Sequence, residues 1–435
     1  MITLFSILLL LGIAILFHEF GHFAVAKFFK IRVERFSIGF PPRLFGLKLG
    51  ETDYCVSAVP LGGYVKVTGQ DPTEELTGAE YEFNSKPPWQ KMLVVVAGPV
   101  MNLVIAYVLI VLSIMLGVPT LSPVIDTVMP NTSAAQAGLQ SGDVLVSVNG
   151  MPITSSEGVE ETLIKHLNET VILGVTRGKE LVKLKLQVPK DLENLGINFK
   201  IPAVMGIVLP NTPASRAGLI LGDEIISING KPTEGRWQSV SKIIRSGKGE
   251  PLTLVIRRNG NLMNFSVTPK YTEMEKAFLI GITPNLNTGR VVRFPFGQAL
   301  QKGFVVYQNQ IYMFFSGLKL IFSGKIPIPE ALGGPQSIAN IAGQSMQLGI
   351  THFLWFVASL SIMLGIANLL PIPIMDGGHI LFYAIEWIRG KALTPKTWEI
   401  STKFGFAVLV TLMSFVIIND FISSGTLAKI INQFH

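Results

Sequence analysis

His18, Glu19 and His22 stand in the order H-E-x-x-H within ILFHEFGHFAVAKFF, Ile15 to Phe29. On a helix, two histidines four residues apart project from one face, and their imidazoles can share one divalent cation. Zinc suits that pair, and the glutamate one position on lies beside the metal, placed to take a proton from its water. Catalytic zinc ordinarily has three protein ligands and a water, so a third ligand is required. The candidate lies far along the chain. Asp376, in NLLPIPIMDGGH (Asn368 to His379), closes a stretch from Leu348 to Met375 that has no Asp, Glu, Lys or Arg. An ionisable group at membrane depth is costly and by default marks a functional site with a partner. A cation held by His18 and His22 is that partner. Pro371 and Pro373 break the helix just before it, which is tolerated where backbone is buried in protein or lines a wet cavity. Taken alone, H-E-x-x-H arises by chance, and Asp376 could cap a helix ahead of Gly377 and Gly378. Together they make Zn²⁺ the expected cofactor, with His18, His22 and Asp376 as ligands and Glu19 as the catalytic base. His379 is the alternative ligand, with a capping or supporting role expected instead. His352, His166 and His435 lack supporting context.

The elements that must position these residues are apolar. Of the chain's 435 residues, 49% are hydrophobic and 15% charged, with a mean hydropathy of +0.46, against a globular norm of about 25% charged. The class is a membrane protein with soluble parts. A net charge of +7 comes from scattered Lys and Arg, which argues against a nucleic-acid partner. The single Cys55 excludes an intramolecular disulfide and a cysteine zinc cluster. Four apolar runs are expected to span a bilayer: Ile2 to Phe17 leading into the motif, Met92 to Val118, Leu348 to Met375, and Phe404 to Ile418. The first could instead be a signal peptide, since AVA at Ala24 to Ala26 mimics a cleavage site. No basic residues precede it, which favours a span. Lys27, Lys30, Arg32, Arg35, Lys86 and Lys91 flank the first connection, and Arg389, Lys391, Lys396 and Lys403 the last. Those two connections therefore face the cytoplasm, and the long 119–347 region and both termini face outward.

The outward region contains a repeat. PNTSAAQAGLQSGDVLVSVNG, Pro130 to Gly150, recurs as PNTPASRAGLILGDEIISING, Pro210 to Gly230, without a gap. An 80-residue offset is too long for a solenoid and right for two small tandem domains. Each copy reads as a short helix ending at Gly138 or Gly218, a Gly-Asp turn, and a strand closed by Asn-Gly. Both resemble PDZ domains of the bacterial, circularly permuted kind. That implies peptide binding at a sheet edge, with folded spacers or a steric filter as the alternative. YCVSAVPLGGYVKV, Tyr54 to Val67, reads as a hairpin turning at Pro60 to Gly63. It is expected to re-enter the membrane and offer Gly62, Gly63 and Tyr64 to substrate, or else to be a plain cytoplasmic hairpin. Phe296 to Gly324 mixes apolar residues with Gln308, Asn309, Gln310 and Lys319. It reads as interfacial helices rather than a fifth span.

With HEFGH in the first span, NLLPIPIMDGG in a later one and PDZ-like copies between them, the whole chain resembles the site-2 protease family of intramembrane zinc metalloproteases. Two PDZ domains and four spans are similar to its bacterial RseP-type branch. The resemblance implies a multi-pass protein of the bacterial inner membrane, with PDZ domains in the periplasm and the active site near the cytoplasmic side. It implies cleavage of single-span membrane proteins such as anti-sigma factors. His18, His22 and Asp376 would ligate zinc, Glu19 would act as base, and Asn368, Pro371 and Pro373 would contact substrate. Where some relatives carry a second asparagine upstream, this chain has Met363. The expected fold is thus a polytopic α-helical membrane protein with four transmembrane helices, a membrane-associated β-hairpin and two α+β PDZ domains. Its segments are a first span (1–29), the hairpin region (30–90), a second span (91–118), PDZ copies (119–200 and 201–285) and an interfacial region (286–347). A third span (348–375), a connection opening on Asp376 (376–403) and a fourth span (404–421) complete it. The rival from another class is a catalytically inactive PDZ scaffold in the membrane. A metal transporter is disfavoured because the four spans show no inverted repeat.

Overall fold

A computed structural model describes residues 2–70, 77–272, 275–287, 291–325 and 333–423. The expected outward termini fall on Met1 and 424–435, outside the described residues. The chain divides into two compact units, one built of 1–114 with 296–421 and the other of 115–295.

Among the described residues, the first unit holds seven long helices: α1 (Ile2–Phe28), α2 (Pro88–Leu116), α3 (Phe296–Phe322), α4 (Pro335–Leu348), α5 (Ile350–Asn368), α6 (Asp376–Arg389) and α7 (Pro395–Ser423). Among the described residues, four helices are long and apolar enough to cross a membrane: α1, α2, α5 and the 396–420 part of α7. The third apolar run ends its helix at Asn368, earlier than its composition alone implies. Pro371 and Pro373 lack the N–H that would carry the helix on, so 369–375 is irregular before α6 begins at Asp376. Along α2 the buried residues Lys91, Val94, Val95, Gly98, Pro99, Asn102, Ile105, Ala106 and Leu109 form one stripe at three- and four-residue steps, the signature of a helix with one inward face. That stripe receives α5 at Gly365, where an added Cβ would lie 3.0 Å from the Pro99 carbonyl oxygen. It receives α3 at Gly303 beside Val111, and Tyr107 donates to the Leu300 carbonyl at 3.0 Å. α3 is one 27-residue helix. The N-terminus of α4 is capped from α7: Asp420 accepts from Gln336 N (3.0 Å), Ser337 N (3.2 Å) and Ser337 Oγ (2.6 Å), satisfying donors that a helix start leaves open.

The expected hairpin is larger than its sequence suggests. Strands β1 (Val33–Leu49) and β2 (Thr52–Val67) each bend and contribute two segments to one antiparallel sheet. Its order is 43–49, 52–57, 33–38, 63–67, with Cys55 paired to both Gly46 and Ser37. β1 turns at Gly39, whose φ of +93° and close approach to the Ser57 carbonyl oxygen exclude a side chain. Leu44, Phe45, Leu47 and Leu49 on the outer segment are each about three-fifths exposed, an unusual edge for a sheet in water.

In the second unit the repeat becomes two copies of one topology. Strands run Met151–Pro152, Val144–Val148, Thr170–Arg177, Glu180–Gln187 in the first sheet, and Lys231–Pro232, Glu224–Ile228, Leu252–Arg258, Asn261–Val267 in the second. Each copy also has a two-stranded pair, Ile125–Val128 with Ile197–Phe199 or Met205–Val208 with Ile282–Pro284, a four-residue helix (Ser133–Gln136 or Pro213–Arg216) just before Gly138 or Gly218, and a nine-residue helix. Each has its own core, around Leu145, Val148 and Leu173 or around Ile225, Ile228 and Leu254. One internal ion pair recurs. Buried Asp143 takes two 2.8 Å bonds from Arg177, and buried Asp223 two 2.7 Å bonds from Arg258; each arginine also reaches the carbonyl of Gly138 or Gly218. This ties the Gly-Asp turn to the end of the neighbouring strand. The Arg177 hydrogen bonds hold the Asp143 carboxyl below its ordinary range.

Arg258→Ala leaves Asp223 buried without its cation and is expected to destabilise the second copy by about 3 kcal/mol, read by hydrogen exchange of 224–228 against 144–148. Asp143 ionises more readily folded than unfolded. Its contribution is therefore complete above the ordinary carboxyl pKa of about 3.9 and lost as pH falls through the lowered folded value. Asp143→Asn should weaken the first copy at neutral pH and flatten its loss of protection as pH falls below about 4.

Candidate metal centre

α1 carries His18 and His22 one helical turn apart, with their rings edge to face at 4.8 Å between centroids. The close fit of α1 on α2 depends on two residues without side chains. At Gly21 a Cβ would collide with the Ala97 carbonyl, and at Gly98 with the His22 ring. Pro99, directly after Gly98, lies inside α2. It has no N–H to return to Val95, which loosens the preceding turn. In that turn the Val94 carbonyl lies 2.8 Å from His22 Nδ1. A carbonyl can only accept, so Nδ1 carries the proton and Nε2 presents a lone pair.

The third group arrives from the irregular 369–375 segment. There Ile372 N donates to Leu370 O at 2.7 Å and Met375 N to Ile372 O at 2.8 Å, a tight double turn. Gly377 and Gly378 allow α6 to start directly against it: a Cβ on either would meet the backbone of 369–373. Asp376, the first residue of α6, is thereby aimed back at α1. Its Oδ2 is 3.2 Å from His18 Nε2 and its Oδ1 3.7 Å from His22 Nε2, and the two Nε2 atoms are 3.2 Å apart. Asp376 Oδ2 is buried with no hydrogen-bond partner. One ligand atom from each of these residues lies within 4.8 Å of the others. Zinc bonds of about 2.0–2.2 Å put neighbouring ligands of a tetrahedron about 3.3 Å apart. The triangle fits such a cation.

The other residues singled out from the sequence divide into two groups. Glu19 and Gly63 join the centre: a Cβ at Gly63 would sit 3.1 Å from Glu19 Cγ, and the Val65 backbone amide faces the Glu19 carboxylate. The inner edge of the four-stranded sheet thus runs beside the centre. Gly62 lies under the Phe40 ring, and Tyr64 stacks parallel to that ring at 6.5 Å while accepting from Arg35 at 3.2 Å. Asn368 ends α5, and Pro371 and Pro373 belong to the turn that delivers Asp376, with Pro373 against Gly405 of α7. His379 stacks on Trp398 at 5.2 Å, outside the triangle. Sequence reasoning missed the contribution of α2: Val94, Gly98, Pro99 and Asn102. The available signal was Gly-Pro followed by an asparagine inside an uncharged span.

Residues 6–412 match the model of Peptidase family M50. Over 96% of this chain, it is 34% identical to Protease RseP of Yersinia pestis, covering 98% of that protein. It is 33% identical to Regulator of sigma-E protease RseP of Escherichia coli K12, covering 97%. A Neisseria meningitidis serogroup A protein whose name includes the words zinc metalloprotease is 35% identical, with 97% of its length covered.

Gly98→Ala forces the His22 ring to move, whereas Gly12→Ala in the same apolar surroundings meets nothing within 4 Å. Metal analysis of the purified chain should show Gly98→Ala losing bound zinc at least tenfold more readily to a chelator, on the scale of other supporting-residue losses. Gly12→Ala should match wild type.

Proposed function

The chain belongs to Peptidase family M50, and we propose that it is an intramembrane zinc endopeptidase acting on single-span membrane proteins. His18, His22 and Asp376 hold the zinc, and Glu19 is the general base. The observation that carries this is the convergence of two histidine nitrogens, 3.2 Å apart, on the Asp376 carboxylate, whose Oδ2 and Oδ1 lie 3.2 Å and 3.7 Å from them, beside a glutamate and among apolar helices. Bound there, zinc would lower the pKa of a water towards neutrality and polarise the scissile carbonyl. Glu19 takes the proton of the attacking water and returns one to the leaving amine.

A substrate helix hides its peptide bonds in its own hydrogen bonds and must be unwound first. The 63–67 edge, with the Val65 amide turned towards Glu19, supports addition of the unwound segment as a further strand. Gly62, Gly63 and Tyr64 would line it, with Asn368, Pro371 and Pro373 on the opposite side. The exposed Leu44, Phe45, Leu47 and Leu49 support a sheet that dips into lipid. The two copies of the second unit are read as PDZ domains that contact substrate ectodomains or peptides. The names of the Yersinia and Escherichia relatives motivate an anti-sigma factor as substrate. The distribution of Lys and Arg supports a multi-pass inner-membrane protein with those domains in the periplasm and the centre near the cytoplasmic side.

The test is cleavage of a tagged single-span substrate lacking its ectodomain by detergent-purified chain. Glu19→Gln should lower the rate by about 10²–10⁴-fold while keeping about one zinc per chain. Asp376→Ala should lose both. A zinc-loaded wild type that cleaves no single-span substrate would leave the scaffold reading, and a wild type without zinc would end the metalloprotease reading.

A further inference from the structure

We infer that Asn102 is a positioning residue for the metal centre: its side-chain amide carbonyl accepts the Nδ1 proton of His18 and so turns the Nε2 lone pair towards the cation. This rests on the proposed zinc site and names a residue that completes it.

The two histidines pose the same problem. Each must present a bare Nε2, so each must keep its proton on Nδ1, and a buried N–H needs an acceptor. His22 finds one in the Val94 carbonyl at 2.8 Å. For His18 the group facing Nδ1 is the Asn102 amide, 3.3 Å away. Val94, Gly98 and Asn102 are spaced four residues apart on the buried face of α2. One helix face therefore addresses both rings, with Gly98 as the flat floor between them. As placed, the amide nitrogen of Asn102 points at His18, and Oδ1 is buried with no partner. The two ends of an asparagine amide have nearly the same shape, and their assignment follows the hydrogen-bond network. As placed, the amide leaves Oδ1 unsatisfied, so the imidazole decides between the two orientations. With the nitrogen inward, His18 would carry its proton on Nε2, directed at His22 Nε2 and Asp376 Oδ2, each 3.2 Å away. That proton would occupy the centre of the ligand triangle. A half-turn of the amide puts Oδ1 on Nδ1 and leaves three electron-pair donors converging.

Packing does not account for an asparagine here. Asn102 is 1% exposed within an uncharged 27-residue run, Met92 to Val118. A buried, unpartnered polar end costs about 1–3 kcal/mol, and leucine, of similar shape, would avoid that cost. The acceptor is what leucine lacks.

The test uses the full chain in detergent, comparing wild type with Asn102→Leu, Asn102→Ala and Asn102→Asp. Zinc affinity is measured by chelator competition and ligand geometry by the absorption bands of the cobalt-substituted protein. Leucine and alanine should each weaken zinc binding by about 10–100-fold and shift the cobalt bands. Aspartate, which restores an acceptor, should return affinity to within a few-fold of wild type. Alanine carries the prediction where leucine disturbs helix packing. Unchanged affinity in both apolar variants, or a folded aspartate variant as weak as alanine, would overturn the assignment. A wild type that takes up neither zinc nor cobalt would instead overturn the metal site itself.

Discussion

Two imidazole nitrogens 3.2 Å apart face one carboxylate, whose two oxygens lie 3.2 Å and 3.7 Å from them, among apolar helices, and such bare lone pairs repel one another unless a proton or a metal cation sits among them. In low dielectric, unpaired lone pairs and charge are expensive, so the surroundings must hold these groups against the tendency to turn away. Much of the first unit can be understood as that restraint. Gly21 and Gly98 bring α2 within reach of α1, Pro99 opens the turn that offers Val94, and Gly377 and Gly378 press the start of α6 against the turn before it. None of these residues is chemically reactive. Each removes a side chain or an N–H where the approach of two backbones requires it.

The backbone near the centre is irregular in the places where chemistry needs polar groups. α5 stops at Asn368, 369–375 turns twice, and the sheet edge at 63–67 runs beside Glu19. Non-helical backbone at membrane depth survives only where protein or water satisfies it. The same broken backbone that delivers Asp376 exposes polar backbone groups beside the candidate centre. Further out, α7 caps α4 through Asp420, so a fourth apolar helix also ends on a charge with a defined partner.

The candidate ligands stand out in the sequence because charge is conspicuous in apolar runs. His18, Glu19, His22 and Asp376 each interrupt or end an uncharged run. Asn102 does not stand out, because an amide has no charge and passes unnoticed among Met101, Leu103 and Val104. The sheet was only half legible. VERFSIGFPPRLFGLKL lacks clean alternation and contains Pro41 and Pro42, so nothing local announces that it folds back to pair on two sides of 33–38 and 52–57. In the second unit the gapless match covers Asp143 and Asp223 at an offset of 80, but their partners Arg177 and Arg258 stand 81 apart. A one-residue difference in the intervening loops hid a pair that the fold restores.

That pair also indicates how differently the two units solve the same electrostatic problem. Asp143 and Asp223 are about as buried as Asn102, yet each is fully matched by an arginine fork and a backbone N–H. They close a structure and leave nothing to bind. Asp376 keeps one oxygen without a partner, and Asn102 keeps one end of its amide so. A buried polar group left short of partners is destabilising on its own. Two such groups, one touching the histidine triangle and the other one ring away from it, are the expected signature of a site whose missing partners are a cation, water and a substrate backbone.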